Sequence, residues 1–411
     1  NLLTDTDELS RKTTSTYDQL NRLTSTTLPD PDGTGPLTAP VTQVVYNAIG
    51  LVSQTVDPLG QSTQYAYDAQ RNWLLQVTAP DPDGTTGSDV APVVNFTYDV
   101  AGRRLSQTDP LGAVTKWEYD ADSRVTRVTL PDPDGPGGVD TPQQSFDYDR
   151  MGRVIAVTDP LGRTTRTSYD AVGRMVAETS PLGFVTQNSY DLAGNLVAQT
   201  LPDPDGAGPQ SAPVTTNSYD ALNRVIAQTD PRGNVTQATY DALGRMVAVT
   251  QPDPDGNGPL AAPVWQWGYN TRGWVTSATD PLGFVTKYTR DNAGQVTLIT
   301  DPDPDGAGSQ VSPTTTYTYD LLGRVKSVKD MAGTTSYAYD KADRVTSITD
   351  PRGAVTQTSY DFLGRTVAIT EPDPTVLTGG TARPVTTFRY DTAGQLLSRT
   401  DPIGGIGRAH V

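Results

Sequence analysis

One motif returns along the whole chain and leaves little choice of fold. Stations that begin with Tyr-Asp, or a near variant, occur at 17, 46, 67, 98, 119, 148, 169, 190, 219, 240, 269, 290, 319, 339, 360 and 390. Thirteen of the sixteen are literally Tyr-Asp. Tyr46-Asn47 and Tyr269-Asn270 exchange Asp for Asn, and Arg290-Asp291 has lost the Tyr. A repeat this short is one supersecondary unit that must stack on its neighbours to bury a face.

The stretch TDPLGRTTRTSYDAVGRM, residues 158–175, shows what the unit is. A type I turn favours Asp at its first position, Pro at its second and Gly at its fourth. Asp159–Gly162 meets all three preferences, and Asp170–Gly173 is the same turn without Pro. The Asp side chain can accept backbone N–H groups of the turn, and Gly takes the left-handed conformation that closes it. Between the turns lie segments rich in Thr, Val and Tyr, which suit a pleated surface. The sequence therefore predicts a β-hairpin at each station, with strands about 20–25 Å long.

Station spacings fall into two lengths, 20–21 and 29–31 residues. The long ones carry an acidic, Pro-rich loop: LPDPDGTGP from 28, APDPDGTTG from 79, LPDPDGPGG from 130, LPDPDGAGP from 201, QPDPDGNGP from 251, DPDPDGAGS from 301 and a diverged EPDPTVLTGG from 371. These loops re-enter the next strand at Pro40, Pro92, Pro142, Pro213, Pro263, Pro313 and Pro384; Pro is tolerated as the first residue of a strand. Long and short arms follow one order twice, giving a super-repeat of about 170 residues, with 173 residues from station 17 to station 190. Gene duplication alone would leave such a record. So would a structural period of seven hairpins per turn of a coil, which would stack long loops over long loops and bring Pro29–Gly33 close to Pro202–Gly206.

Sixteen hairpins make a sheet too long to stay open and flat, since twisted sheets rarely pass about ten strands without curling. The expected fold is all-β: a continuous antiparallel ribbon of hairpins, without helices, coiled into a hollow spiral shell or tube. Residues 1–411 read as one uninterrupted array, a segment of a longer chain. Strands after the turn begin with an apolar residue (Val154, Met175, Leu196, Val225), continue with Ala or Ser and often end with Thr. That face builds no thick core. The station tyrosines are expected to supply packing as a ladder. The Arg at the turn exits (Arg153, Arg174, Arg224, Arg245, Arg324, Arg344, Arg365) are expected to lie over the rings and pair with turn Asp residues; a binding patch is the other reading.

Catalysis finds few materials here. Cys is absent and the one His is His410, so Ser and Thr hydroxyls have no activating base and disulfides are excluded. GGIGRAH, 404–410, imitates a phosphate loop, but no helix follows. No catalytic, cofactor-binding or metal-binding residue is expected. The one ligand worth weighing is calcium. DPDPDG, 301–306, matches the first half of a D-x-D-x-D-G loop. Asp30/Asp32/Gly33, Asp81/Asp83/Gly84, Asp132/Asp134/Gly135, Asp203/Asp205/Gly206 and Asp253/Asp255/Gly256 keep its second half. Ser312 stands where that loop needs a bidentate Glu, and Pro stiffens the segment, so the competing reading is an acidic turn that keeps a sheet edge soluble. A net charge of −16 disfavours nucleic acid and anionic membranes as partners. No apolar run approaches the roughly 20 residues of a membrane span.

The Tyr-Asp stations with their Gly-Arg exits, and segments such as TDPLG and YDALGR, resemble the YD or Rhs repeat family: bacterial Rhs proteins, the B and C components of Tc toxin complexes, wall-associated YD proteins and animal teneurins. The resemblance covers essentially the whole chain. It implies a ribbon of hairpins spiralling into a hollow shell, which in several members encloses a toxic domain or an unfolded polypeptide. No segment like the DPxGLxDG of the family's self-cleaving protease is found, so neither protease nor toxin carries over to any residue. The PDPDG loops are not general in the family. The function expected is a non-catalytic structural wall, tube or filament, extracellular or at a bacterial cell surface. The alternatives are a toxin cocoon and an adhesin or carbohydrate-binding module. Expected partners are the chain itself, flanking repeats, an enclosed polypeptide or surface glycans.

Overall fold

The computed structural model describes residues 2–84, 87–133, 141–206, 208, 210–256, 258, 260–306, 308–372, 383–402 and 406–408. Among these every regular element is a β-strand, 34 in all, from Thr4–Thr6 to Ile406–Arg408. The expected class, antiparallel β-hairpins without helices, is what the chain adopts. Strand Val154–Thr158 pairs with Thr164–Tyr169, which pairs with Met175–Thr179, and the same sequential antiparallel pairing recurs through the array.

The chain divides into two compact units. One comprises Asn1–Val114, Thr289–Thr300 and Val311–Val411; the other comprises Thr115–Tyr288 and Asp301–Gln310. In both, alternate turns lie on opposite edges of the ribbon. Tyr-Asp turns occupy one edge, and short Asp-Pro turns and PDPDG loops the other.

The turns form as their residues dictate. In Asp170–Arg174 the Gly173 amide donates to the Asp170 carbonyl at 3.1 Å and the Asp170 amide to the Arg174 carbonyl at 2.9 Å. The Asp170 Oδ1 accepts the amides of Val172 and Arg174 at 3.0 and 2.9 Å. Gly173 sits at φ 92°, as a turn followed by a left-handed residue requires. Asn21, Asn72, Ser123, Asn223 and Asp343 take positive φ where a station lacks Gly. Short polar side chains are the ones that tolerate this region.

Each Tyr-Asp hairpin carries a bulge next to its Tyr. Ser168 faces Ala177 while Tyr169 faces Met175, so Val176 is left over. Such a bulge bends the strand and increases its twist. At long loops the re-entry Pro completes the ladder with its carbonyl: Pro40, Pro92, Pro142, Pro213, Pro263 and Pro384 accept amides at 2.8–2.9 Å. The core is thin, as the small strand residues imply. Ala156, 3% exposed, is the one buried apolar strand side chain among the described residues.

Candidate functional site

The side chains the repeat keeps converge on one seam, along the Tyr-Asp edge. Arg153 shows the arrangement. Its Nε donates to Asp149 Oδ2 in its own turn at 2.7 Å. Its Nη1 donates to the Asp170 carbonyl of the next station at 3.1 Å. Its guanidinium carbon lies 4.6 Å from the centroid of the Tyr169 ring. The Tyr169 hydroxyl in turn donates to the carbonyl of Val154, the residue after Arg153, at 2.9 Å. One Arg and one Tyr thus clip two successive hairpins from both sides.

Arg of one station lies over Tyr of the next at 4.4–4.8 Å for Arg22/Tyr46, Arg124/Tyr148, Arg174/Tyr190, Arg224/Tyr240, Arg245/Tyr269, Arg324/Tyr339, Arg344/Tyr360 and Arg365/Tyr390. The ladder the sequence predicts is therefore an alternation of Arg and Tyr between hairpins. A ring-on-ring contact occurs where Trp73 stands at the Arg position, 5.4 Å from the Tyr98 ring. Hydrogen bonds from the turn-exit residue hold the carboxyls of Asp149, Asp170, Asp220 and Asp241 below the ordinary carboxylate range. At Asp170 the Arg174 backbone amide contributes most and the Arg174 side chain adds to it. Burial pushes the hydroxyls of Tyr319 and Tyr339 above the ordinary phenol value.

The loop carboxylates turn inward onto their own backbone. Asp203 Oδ1 accepts the Asp205 amide at 3.2 Å, and Asp205 Oδ2 accepts the Gln210 amide at 3.1 Å. The loops at 253 and 303 repeat both contacts. A Cβ on Gly208, Gly258 or Gly308 would overlap the folded-back carboxylate, so the second Gly of each loop is structural. Among the described residues no group of three or more His, Cys or acidic side chains is placed to hold a metal ion. Asp134, Gly135 and His410 lie outside the described residues, as do most of the loop from 371 and part of GGIGRAH.

Within the first unit, two of these loops meet Tyr-Asp turns far along the chain. The Pro31 carbonyl accepts the Leu321 amide at 3.0 Å, and the Pro82 carbonyl accepts the Phe362 amide at 3.0 Å. Pro31 and Pro82 are buried there. The Leu321 Cδ1 lies 3.5 Å from where a Gly33 Cβ would be, and the Phe362 ring covers Gly84. Leu321 and Phe362 each follow the Asp of a Tyr-Asp turn, twelve stations after the loop they meet. Thr392, also twelve stations on, donates its hydroxyl to the Pro110 carbonyl at 3.5 Å. This corrects the seven-hairpin expectation of long loop over long loop. The two turn types occupy opposite edges, so when the ribbon meets itself a loop faces a Tyr-Asp turn.

Comparison with known proteins agrees with the repeat reading. RHS Repeat matches residues 46–86, 98–134, 148–185, 219–256, 269–306, 319–355 and 339–376. Among solved structures, the crystal structure of TcdB2-TccC3-TEV is similar, with a TM-score of 0.52 and 14% identity over 96% of this chain and 25% of that one. A Photorhabdus luminescens Tc holotoxin pore gives a TM-score of 0.52 and 15% identity over 95% of this chain and 23% of that one. TcdB2-TccC3 without its hypervariable C-terminal region gives a TM-score of 0.52 and 13% identity, covering 95% and 26%. The chain thus spans about a quarter of the length of those chains, and identities this low establish likeness of fold. No curated protein sequence matches.

Proposed function

The chain belongs to the RHS repeat family, and from that premise we propose that it is a non-catalytic wall segment of a secreted or surface-exposed bacterial protein. The observation that carries the reading is the seam. Arg, Asp and Tyr, the side chains that could do chemistry, are bound to one another in station after station. A binding site would break such a repeat, whereas a wall is made of it. The wall needs no cofactor.

A second reading deepens the first: the wall lines a cocoon around an unfolded polypeptide carried elsewhere in the parent protein. Likeness of fold to Tc toxin components favours it. Limited proteolysis of the whole parent protein tests both. A wall yields the array as a resistant fragment, cut only at its PDPDG loops; cleavage within the strands sinks the proposal. A cocoon also protects a segment outside the array, which becomes digestible once the array is denatured. Fractionation of the producing cells tests the location, and retention in the cytosol counts against it.

A further inference from the structure

One PDPDG loop departs from the others. Pro80–Pro92 is one residue longer than Pro29–Pro40 or Pro202–Pro213. Its Asp83 Oδ2 accepts the amides of Ser88 and Asp89 at 2.7 and 3.1 Å, whereas the loops at 28, 201, 251 and 301 hold the amide five residues on. The first loop carboxylate differs as well. At Asp30, Asp203, Asp253 and Asp303 the Oδ1 accepts the amide two residues on, at 3.2–3.3 Å. The Asp81 Oδ1 is buried and accepts nothing among the described residues. A buried carboxylate oxygen without a donor is costly, so this one calls for a donor from outside the chain.

Asp81 lines a cleft of about 480 Å³ in the first unit, between its own loop and the short turn that ends at Gln61. That volume lies within the roughly 300–1,000 Å³ of small-molecule sites. Gln61, Ser62, Gln64 and Thr78 also line it, and their side chains form no hydrogen bond among the described residues. Phe362, from twelve stations on, closes one side; its ring packs on Gly84 and stays 42% exposed. No Lys, Arg or His is among the described lining residues. Two stations earlier the same place is filled. The cleft there measures about 220 Å³, with Arg11 for Gln61, Leu28 for Ala79 and Leu321 for Phe362, and Asp30 is satisfied by its own loop. The larger cleft has thus exchanged a cation and two aliphatic chains for an amide, a methyl and an aromatic ring.

We propose that this cleft binds neutral sugar units of a glycan. A sugar hydroxyl supplies the donor that Asp81 Oδ1 lacks, in a charge-assisted bond. Amides and hydroxyls both donate and accept, which suits the vicinal hydroxyls of a pyranose at Gln61, Ser62, Gln64 and Thr78. The C–H face of the sugar carries slight positive charge, and an aromatic face such as that of Phe362 carries negative charge. Phosphates and acidic sugars find no cation here, and a metal ion finds no group of three acidic or His side chains among the described residues. The site uses the wall without altering it, so its failure would leave the wall reading standing.

Affinity electrophoresis of the whole chain through gels containing soluble glucan, mannan, galactan or xylan tests this. At least one polysaccharide is expected to retard the chain, and its oligosaccharides to release it at millimolar concentration. Asp81→Asn is expected to weaken the retardation by about tenfold, as loss of a bond to a charged acceptor requires. Phe362→Ala is expected to weaken it similarly and Phe362→Trp to restore it. Ala79→Leu copies the filled cleft at Leu28 and is expected to abolish binding. Asp203→Asn, at a carboxyl satisfied by its own loop, is expected to change nothing. No retardation by any of the four polysaccharides, retardation undiminished in Ala79→Leu, or stronger retardation by polygalacturonate than by any neutral chain overturns the proposal. So does release by ethanolamine at concentrations where the oligosaccharides have no effect, since an ammonium would then be the donor. Circular dichroism of each variant confirms that the strands remain.

Discussion

The guanidinium of Arg153 stacks on the ring of Tyr169, 4.6 Å from its centroid, while the Tyr169 hydroxyl donates to the carbonyl of Val154 beside that Arg. Neither side chain serves its own hairpin alone. Tyr169→Phe removes one hydroxyl bond and is expected to lower local stability by about 1 kcal/mol. Tyr169→Ala also removes the ring from under Arg153 and is expected to cost about 3 kcal/mol. Thr165→Ala is expected to stay within about 0.5 kcal/mol. Hydrogen exchange of the amides in Thr164–Tyr169 reads these as opening free energies; equal effects from Tyr169→Ala and Thr165→Ala would refute the ladder.

Arg153→Lys keeps the charge and loses the fork that reaches Asp149, the Asp170 carbonyl and the Tyr169 ring together. A loss of about 1–2 kcal/mol is expected at the seam between these two hairpins. Exchange should quicken in strands Val154–Thr158 and Thr164–Tyr169 and stay unchanged in Val225–Thr229.

Acid should loosen the turns. The carboxyls of Asp149, Asp170, Asp220 and Asp241 are held below their ordinary value of 3.8. A carboxyl depressed in the folded state stabilises it above the unfolded value and ceases to do so as pH falls through the folded one. Stability is therefore expected to be flat from neutral pH to about 4 and to fall below that. Far-ultraviolet circular dichroism against pH checks this; a midpoint between pH 5 and 7 would contradict it.

Leu321→Pro isolates the docking contact. Pro is favoured at the second position of a type I turn, as the chain's own Asp159-Pro160 and Asp230-Pro231 turns show. The turn is expected to survive while the amide that reaches Pro31 is lost. Protease cleavage in the 30–33 loop should rise, and cleavage in the 203–206 loop should stay the same.

Gly208→Ala should disorder its loop, because the new Cβ overlaps the Asp205 carboxylate. Asp205→Ala in the same chain removes the overlap. Loop cleavage is expected to fall back toward the level of Asp205→Ala alone; persistence of the full Gly208→Ala effect would show that the backbone itself rejects a side chain there.

The hairpins were legible because turn chemistry is local. Asp170 and Gly173 announce their roles by spacing alone, and strand composition does the rest. The partnership of Arg with Tyr was legible too, though not that Arg153 serves the Tyr of the following station. What the sequence hid was the meeting of Pro31 with Leu321. That contact depends on twist summed over twelve hairpins and altered by a bulge at each, so no local pattern encodes it. The apolar tips at Leu321 and Phe362 were the available signal, and it has meaning only once their partners are known.

Because each Arg reaches only one hairpin ahead, the seam behaves as a row of teeth rather than a block. Where a tooth is missing the row is weak: Asn195 replaces Arg and reaches Asn223 instead of a ring, and station 290 has no Tyr for its neighbour to cover. A pull along the chain would thus release hairpins in runs that stop and restart at these gaps. The places where the repeat misspells itself set the lengths in which the ribbon pays out.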